Sequence, residues 1–192
     1  MPNWCSNYAT FTHKDPDQVQ KLVAAVDDDC LFNTFVPLPE ELKETDGLKG
    51  DDPELIKKYG AADWYNWNVN NWGTKWDASD AMINNKTADQ VSVSFDTAWS
   101  PPTAFYEHML DQGWEIMAYY YEPGMSYCGA WDNGQDDSYE IPATAEETRE
   151  QIPEEIDDMF AISESQEAYE DENREELTAW IQDGVEARKE EQ

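Results

Sequence analysis

An α+β fold is predicted, a split βαβ antiparallel sheet with helices on one face, followed by an acidic helical extension. Three observations carry it. Segments of period two alternate with segments of helical period in the order strand, helix, strand, helix, strand, strand, which is the order of an α+β layer. Apolar residues make up 40% of the 192 residues and aromatic residues 13%, with nine Trp, so a packed core is within reach despite the charge. The chain then changes character at Pro142, past which carboxylates crowd around spaced apolar residues.

Residues 5–13, CSNYATFTH, alternate as a first strand. Asp15 and Pro16 have the chemistry of an N-cap and first helical position, and Val19, Leu22, Val23 and Val26 recur on one helical face. The run Asp27-Asp28-Asp29 opposes the helix dipole and ends the helix. LFNTFVPLPEEL at 31–42 carries two prolines and reads as extended or turning, while Asp52-Pro53 starts a short helix through Tyr59. The stretch from about 36 to 80, including the aromatic block WYNWNVNNWGTKW at 64–76, reads as an insertion within a domain covering 1–140.

QVSVSFDT at 90–97 is a strand with Val91, Val93 and Phe95 on its buried face. After Trp99-Ser100-Pro101-Pro102 a second helix runs to about Gln112, turning Phe105, Tyr106 and Met109 inward, with Gly113 as its stop. WEIMAYYYE at 114–122, the turn Pro123-Gly124 and MSYCGAW at 125–131 form a hairpin. A polar loop over 132–138 leads to a last short strand around Tyr139.

Residues 141–192 hold 18 acidic and four basic residues, a local net of −14, which leaves −17 for residues 1–140. Ile152, Ile156, Met159 and Phe160 share helical spacing, as do Leu177, Trp180, Ile181 and Val185, so two amphipathic helices joined near 163–173 are expected. Thr144 and Glu147 fit a capping box, and Pro153 kinks or restarts the first helix.

A formal net charge of −31 and a pI near 4.1 would repel nucleic acid and anionic membranes, so the expected partner is cationic. Three cysteines without ligand spacing predict neither a disulfide framework nor a zinc site. The segment MPNWCSNYATF lacks a basic region followed by an apolar run, and a cytoplasmic location is expected. His13 and His108 lie in no nucleophile motif, and pairing of Cys128 with His108 would need a geometry the sequence does not carry. There is no Gly-rich phosphate loop and no HExxH, so neither an enzyme nor a cofactor is expected. Asp132-Asn133-Gly134-Gln135-Asp136-Asp137 has its Gly at the wrong place for an EF-hand and reads as a solvated turn. Trp72, Trp76 and Trp99 are expected in the core or in structural loops, with Lys75 paired to a carboxylate.

MPNWCSN at 1–7, FVPLP at 35–39, WGTKWDA at 72–78, FDTAWSPP at 95–102 and YEPGMSYCG at 121–129 stand in an order that resembles the YubB-type ferredoxin-like domain family of plasmid and phage proteins. The resemblance implies a ferredoxin-like α+β fold and residence on a mobile element, and brings no catalytic residues. The extension past residue 140 lies outside it.

Joined to the charge, that origin predicts a DNA-mimicking inhibitor of a host defence nuclease, a restriction or CRISPR effector, occupying its basic DNA-binding groove. Duplex DNA carries one charge per 1.7 Å of axis, so 31 net charges match about 50 Å of duplex. The carboxylates expected to meet the partner are Glu146, Glu147, Glu150, Glu154, Glu155, Asp157 and Asp158 on one helix, continued by Glu167, Glu170, Asp171, Glu175 and Glu176. The alternative is a non-enzymatic interaction module whose acidic surface serves solubility or life at high salt. Monomer and dimer are both left open.

Overall fold

The computed structural model describes residues 3–46 and 52–175. The chain divides into two compact units, Met1–Glu140 and Ile141–Gln192.

The first unit is built on β1 (Trp4–Thr12), β2 (Ser79–Lys86), β3 (Gln90–Ala98), β4 (Glu115–Glu122), β5 (Tyr127–Asp132) and β6 (Gln135–Glu140). They lie in the order β2-β3-β1-β4-β5-β6, every neighbouring pair antiparallel. Between β1 and β2 the chain runs through α1 (Pro16–Asp27), α2 (Leu31–Phe35), α3 (Glu40–Lys43), α4 (Pro53–Tyr59) and α5 (Trp64–Trp72); α6 (Thr103–Asp111) joins β3 to β4. Each of these two crossovers skips one strand, so β1 sits between β3 and β4 as a split βαβ order requires. The β5–β6 meander then widens the sheet beyond β4.

Alternation along β1 buries Cys5, Asn7, Ala9 and Phe11 and leaves Trp4, Ser6, Tyr8, Thr10 and Thr12 on the other face. Val91, Val93 and Phe95 of β3, with Ile116 and Ala118 of β4, complete the buried row. Against it pack Val19 and Leu22 of α1, Phe32 of α2, Trp72 of α5 and Phe105, Tyr106 and Met109 of α6. Phe32 stands 4.6 Å from Phe105 and 5.9 Å from Phe95, ring centroid to ring centroid. Each such fully buried side chain contributes roughly 1.5–3 kcal/mol, and the aromatic pairs about 0.5–1.5 kcal/mol more.

Asp15 caps α1 by accepting from the Asp17 amide, and Pro16 follows it at the first helical position. Asp52 caps α4, ended by Gly60 at φ +78. Residues 31–42, expected to be extended or turning, instead form α2 and the start of α3 on either side of Pro37 and Pro39. The reason lies 45 residues away, where the Asp77 carboxylate accepts from the amides of Phe32 (2.7 Å) and Asn33 (3.0 Å). The aromatic block is helical over α5, capped by Asp63 and stopped by Gly73 at φ +84. Strand β2 is not foreshadowed by any alternation, and it begins just inside the C-terminal limit drawn for the insertion. The polar loop expected over 132–138 is a two-residue turn, Asn133 (φ 47) and Gly134 (φ 101), flanked by the pair Asp132 and Gln135.

The second unit holds α7 (Ala145–Gln151), α8 (Glu154–Phe160) and a helix over 162–175. Thr144 caps α7, its Oγ1 accepting from the Glu147 amide (3.3 Å) and donating to the Glu147 carboxylate (3.0 Å). Pro153 restarts the chain as α8 after Ile152 turns extended. Ile152, Ile156 and Ile162 are buried, whereas Met159, expected inward, is 39% exposed and Phe160 half-buried. The join expected near 163–173 is itself helical. Leu177, Trp180, Ile181 and Val185 lie outside the described residues. Among the described residues no helix is long and apolar enough to cross a membrane.

Candidate functional site

Helix period divides the acidic residues of the second unit into an outer and an inner set. On α7, Ala145 and Thr148 turn inward and Glu146, Glu147 and Glu150 are exposed; on α8, Ile156 turns inward and Glu154, Glu155 and Asp158 are exposed. On the helix over 162–175 the inner side is Ile162, Ser163 and Gln166, and the exposed carboxylates are Glu164, Glu167, Asp171, Glu172 and Glu175. Glu164, Glu167, Asp171 and Glu175 follow one another at spacings of three and four, so they form one stripe along that helix. Glu164 and Glu172 belong to this surface although sequence reasoning does not single them out.

Two of the carboxylates expected to meet a partner are bound within the unit instead. Asp157 is 8% exposed and caps the helix over 162–175: one carboxylate oxygen accepts from the Ser163 amide (2.7 Å), the other from the Ser163 hydroxyl (2.6 Å). It is a structural group, and reading all of α8's acids as one outer face overlooks the left-handed Ala161 (φ 50) that turns the chain back over it. Glu170 is half-buried and accepts from the Ala145 amide (3.0 Å), tying the helix over 162–175 to the first residue of α7. Glu176 lies outside the described residues.

Cations hardly dilute this surface. Over 141–175 there are thirteen acidic residues and two basic ones, Arg149 and Arg174. Arg149 is paired with Glu167, which pushes its pKa up by a side-chain hydrogen bond. Arg174 is 2.9 Å from Asp171. Both pairs are exposed, so solvent screens them and they add little to stability.

In the first unit, one end of the sheet gathers aromatic residues, among them Trp72, Trp76 and Trp99, which were expected in the core or in structural loops. Trp72 is buried, its indole N–H donating to the Val36 carbonyl (2.9 Å). Trp4, Trp76 and Trp99 are 39%, 39% and 43% exposed. Lys75 meets rings where a carboxylate was expected: its Nζ lies 4.4 Å from the Trp76 centroid, 5.7 Å from Trp99 and 5.8 Å from Tyr65. Among the described residues no carboxylate comes within ion-pair distance of it. Trp99 holds φ +70, a left-handed conformation that costs a non-glycine residue about 1–3 kcal/mol. Hydrogen bonds hold it there: its amide donates to the Asn3 carbonyl (2.9 Å) and its carbonyl accepts from the Tyr127 hydroxyl (2.8 Å).

Cys128 is fully buried opposite Tyr121 and Tyr139, on the sheet face turned away from α6, while His108 is half-exposed on α6 itself. The two do not form a dyad. Glu122 is also fully buried, its oxygens accepting from the amides of Gly124 (3.1 Å) and Met125 (2.5 Å) in the turn. Among the described residues, no group of three His, Cys, Asp or Glu side chains could hold a metal ion.

No family model matches the chain, and no curated protein matches it. A crystal structure of the protein api92 from Yersinia pseudotuberculosis, family model DUF1281, is similar at a TM-score of 0.44 and 13% identity, covering 74% of this chain and 99% of that one.

Proposed function

We propose that this is a non-catalytic binding protein that inhibits a host defence nuclease, of the restriction or CRISPR kind, by presenting carboxylates to its basic DNA groove in place of phosphates. The phage or plasmid origin implied by the sequence resemblance belongs to this reading. The single observation that carries it is charge spacing. The described residues of the helix, 162–175, number fourteen and span about 21 Å at 1.5 Å per residue. They bear five exposed carboxylates, Glu164, Glu167, Asp171, Glu172 and Glu175, so one falls about every 4.2 Å, against about 3.4 Å per charge along one DNA strand; Glu167 and Asp171 among them pair with Arg149 and Arg174. Exposed Glu146, Glu147, Glu150, Glu154, Glu155 and Asp158 add charge on the two preceding helices. Such a surface associates fast by steering and releases as salt rises.

The test is displacement of a fluorescent 30-base-pair duplex from a panel of restriction endonucleases and CRISPR effectors, followed by anisotropy at increasing salt. The expected result is displacement from at least one of them, weakened by salt and lost when Glu146, Glu150, Glu154, Asp158, Glu164 and Glu175 are all changed to Lys. Equal displacement by the reversed variant, or none across the panel, would refute the proposal and leave the carboxylates as a solubility feature.

A further inference from the structure

The aromatic end of the sheet has the makings of a second, independent site. Hydrogen bonds hold its scaffold. Thr74 Oγ1 donates to the Ala98 carbonyl (3.0 Å), Asn68 Nδ2 to the Lys75 carbonyl (2.8 Å) and Ser100 Oγ to the Gly73 carbonyl (2.7 Å), so the loop bearing Lys75 and Trp76 is pinned to the end of β3. Gly73 lets this happen: at φ +84 a side chain would be strained, and a Cβ would come within 3.1 Å of the Thr103 amide nitrogen. Trp4 leans on Trp76 with ring centroids 6.1 Å apart. The left-handed backbone of Trp99, held by two hydrogen bonds, keeps a large indole partly in water where a Gly would sit without strain.

Two features speak to the ligand. The rings offer flat faces, and Lys75 offers N–H donors on a positive charge with no carboxylate partner among the described residues. In a chain of net charge −31, a ligand with several phosphates is repelled, whereas one negative charge can be matched locally by one ammonium. A cationic ligand meets Lys75 already seated among the rings.

We infer that the cluster of Tyr65, Trp76 and Trp99 around Lys75 binds a flat aromatic group carrying a single carboxylate, the ring stacking on the indoles and the carboxylate accepting from the Lys75 ammonium. That chemistry occurs in a free aromatic acid and at the C-terminus of a peptide ending in an aromatic residue. The site lies in the first unit and does not depend on the acidic helices or on the function proposed for them.

The experiment follows the indole N–H signals of the full-length protein by ¹H–¹⁵N NMR during titration with two probes, indole-3-acetate and a tetrapeptide ending in Trp with a free carboxylate. Each is run beside its amide. The signals of Trp76 and Trp99 are expected to shift with at least one acid, binding about tenfold more tightly than its amide, the value of one charge-assisted hydrogen bond in a partly wet site. Binding of one acid alone names the source; binding of both supports the shared chemistry. Lys75→Met should bring acid and amide to the same affinity. Trp99→Gly removes a ring and the backbone strain together, so it should keep or raise the melting temperature while losing binding. Equal affinity of acid and amide for the unaltered protein, no shift with any probe, or full binding by a folded Trp99→Gly variant would overturn the inference.

Discussion

Replacing Asp157 by Ala separates its structural role from charge display. The carboxylate is 8% exposed and Ser163 6%, and the bonds between them are 2.7 and 2.6 Å. Removing the acceptor leaves a buried amide and a buried hydroxyl unsatisfied, each costing about 1–3 kcal/mol, and deletes a helix cap whose loss alone is typically about 1 kcal/mol. The two accounts describe the same bonds and are not added, so the expected loss is about 2–4 kcal/mol. Ser163→Ala removes only the hydroxyl bond and should cost about 1 kcal/mol. Added to Asp157→Ala it should cost less, because its partner is already gone. Hydrogen exchange at the amides of 162–175 reads this locally and does not require the two units to unfold together. Protection of those amides unchanged in Asp157→Ala would refute the capping assignment. Charge reversal sets for the acidic surface should therefore leave Asp157 alone.

Other expectations follow from burial and close approach. A Cβ at Gly129 would come within 2.3 Å of the Tyr120 hydroxyl and 2.5 Å of the Asp137 carbonyl, so Gly129→Ala should destabilise by about 3 kcal/mol in urea unfolding, the upper range of overpacking. Burial pushes the Cys5 thiol up from 9.0 to about 12, and Cys128 is fully buried, so at pH 8 a thiol reagent should label only Cys30 until the chain is denatured. Between pH 9 and about 12 the unfolded chain loses the Cys5 proton while the folded one keeps it. Cys5 therefore makes stability fall as pH rises through that window, and Cys5→Ala should flatten the fall measured by urea unfolding at stepped pH.

What the sequence disclosed tracks how local each cause is. The cap Asp15-Pro16, the cap Asp52-Pro53 and the alternation of β3 are decided within a few residues, and all three elements stand close to where they were placed. Helix α2 depends on Asp77, far along the chain, and nothing within 31–42 announces it. Strand β2, SDAMINNK, is a polar edge whose pairing with β3 is irregular, so no apolar alternation marks it. Two further elements do carry local signals. Asp63 and Gly73 bracket α5 as cap and stop, and Asn133-Gly134 is a hairpin dipeptide. At the candidate site, helical spacing finds most of the exposed carboxylates, but spacing alone does not show that Asp157 faces Ser163. The exposure of Trp76 and Trp99 is hidden for a similar reason, since composition favours burial and the left-handed backbone at Trp99 is not legible in the residues around it.

The sheet's two unpaired rims bear on how the protein keeps company with itself. Six strands end at β2 and β6, and among the described residues no further strand pairs with the outer side of either. On β2 the register slips twice, which breaks the straight template an incoming strand would need. On β6, Asp136, Asp137 and Glu140 stand exposed, so a second copy approaching that rim meets its own charges. Irregularity guards one border and electrostatic repulsion the other, so both rims oppose edge-to-edge pairing of the sheet.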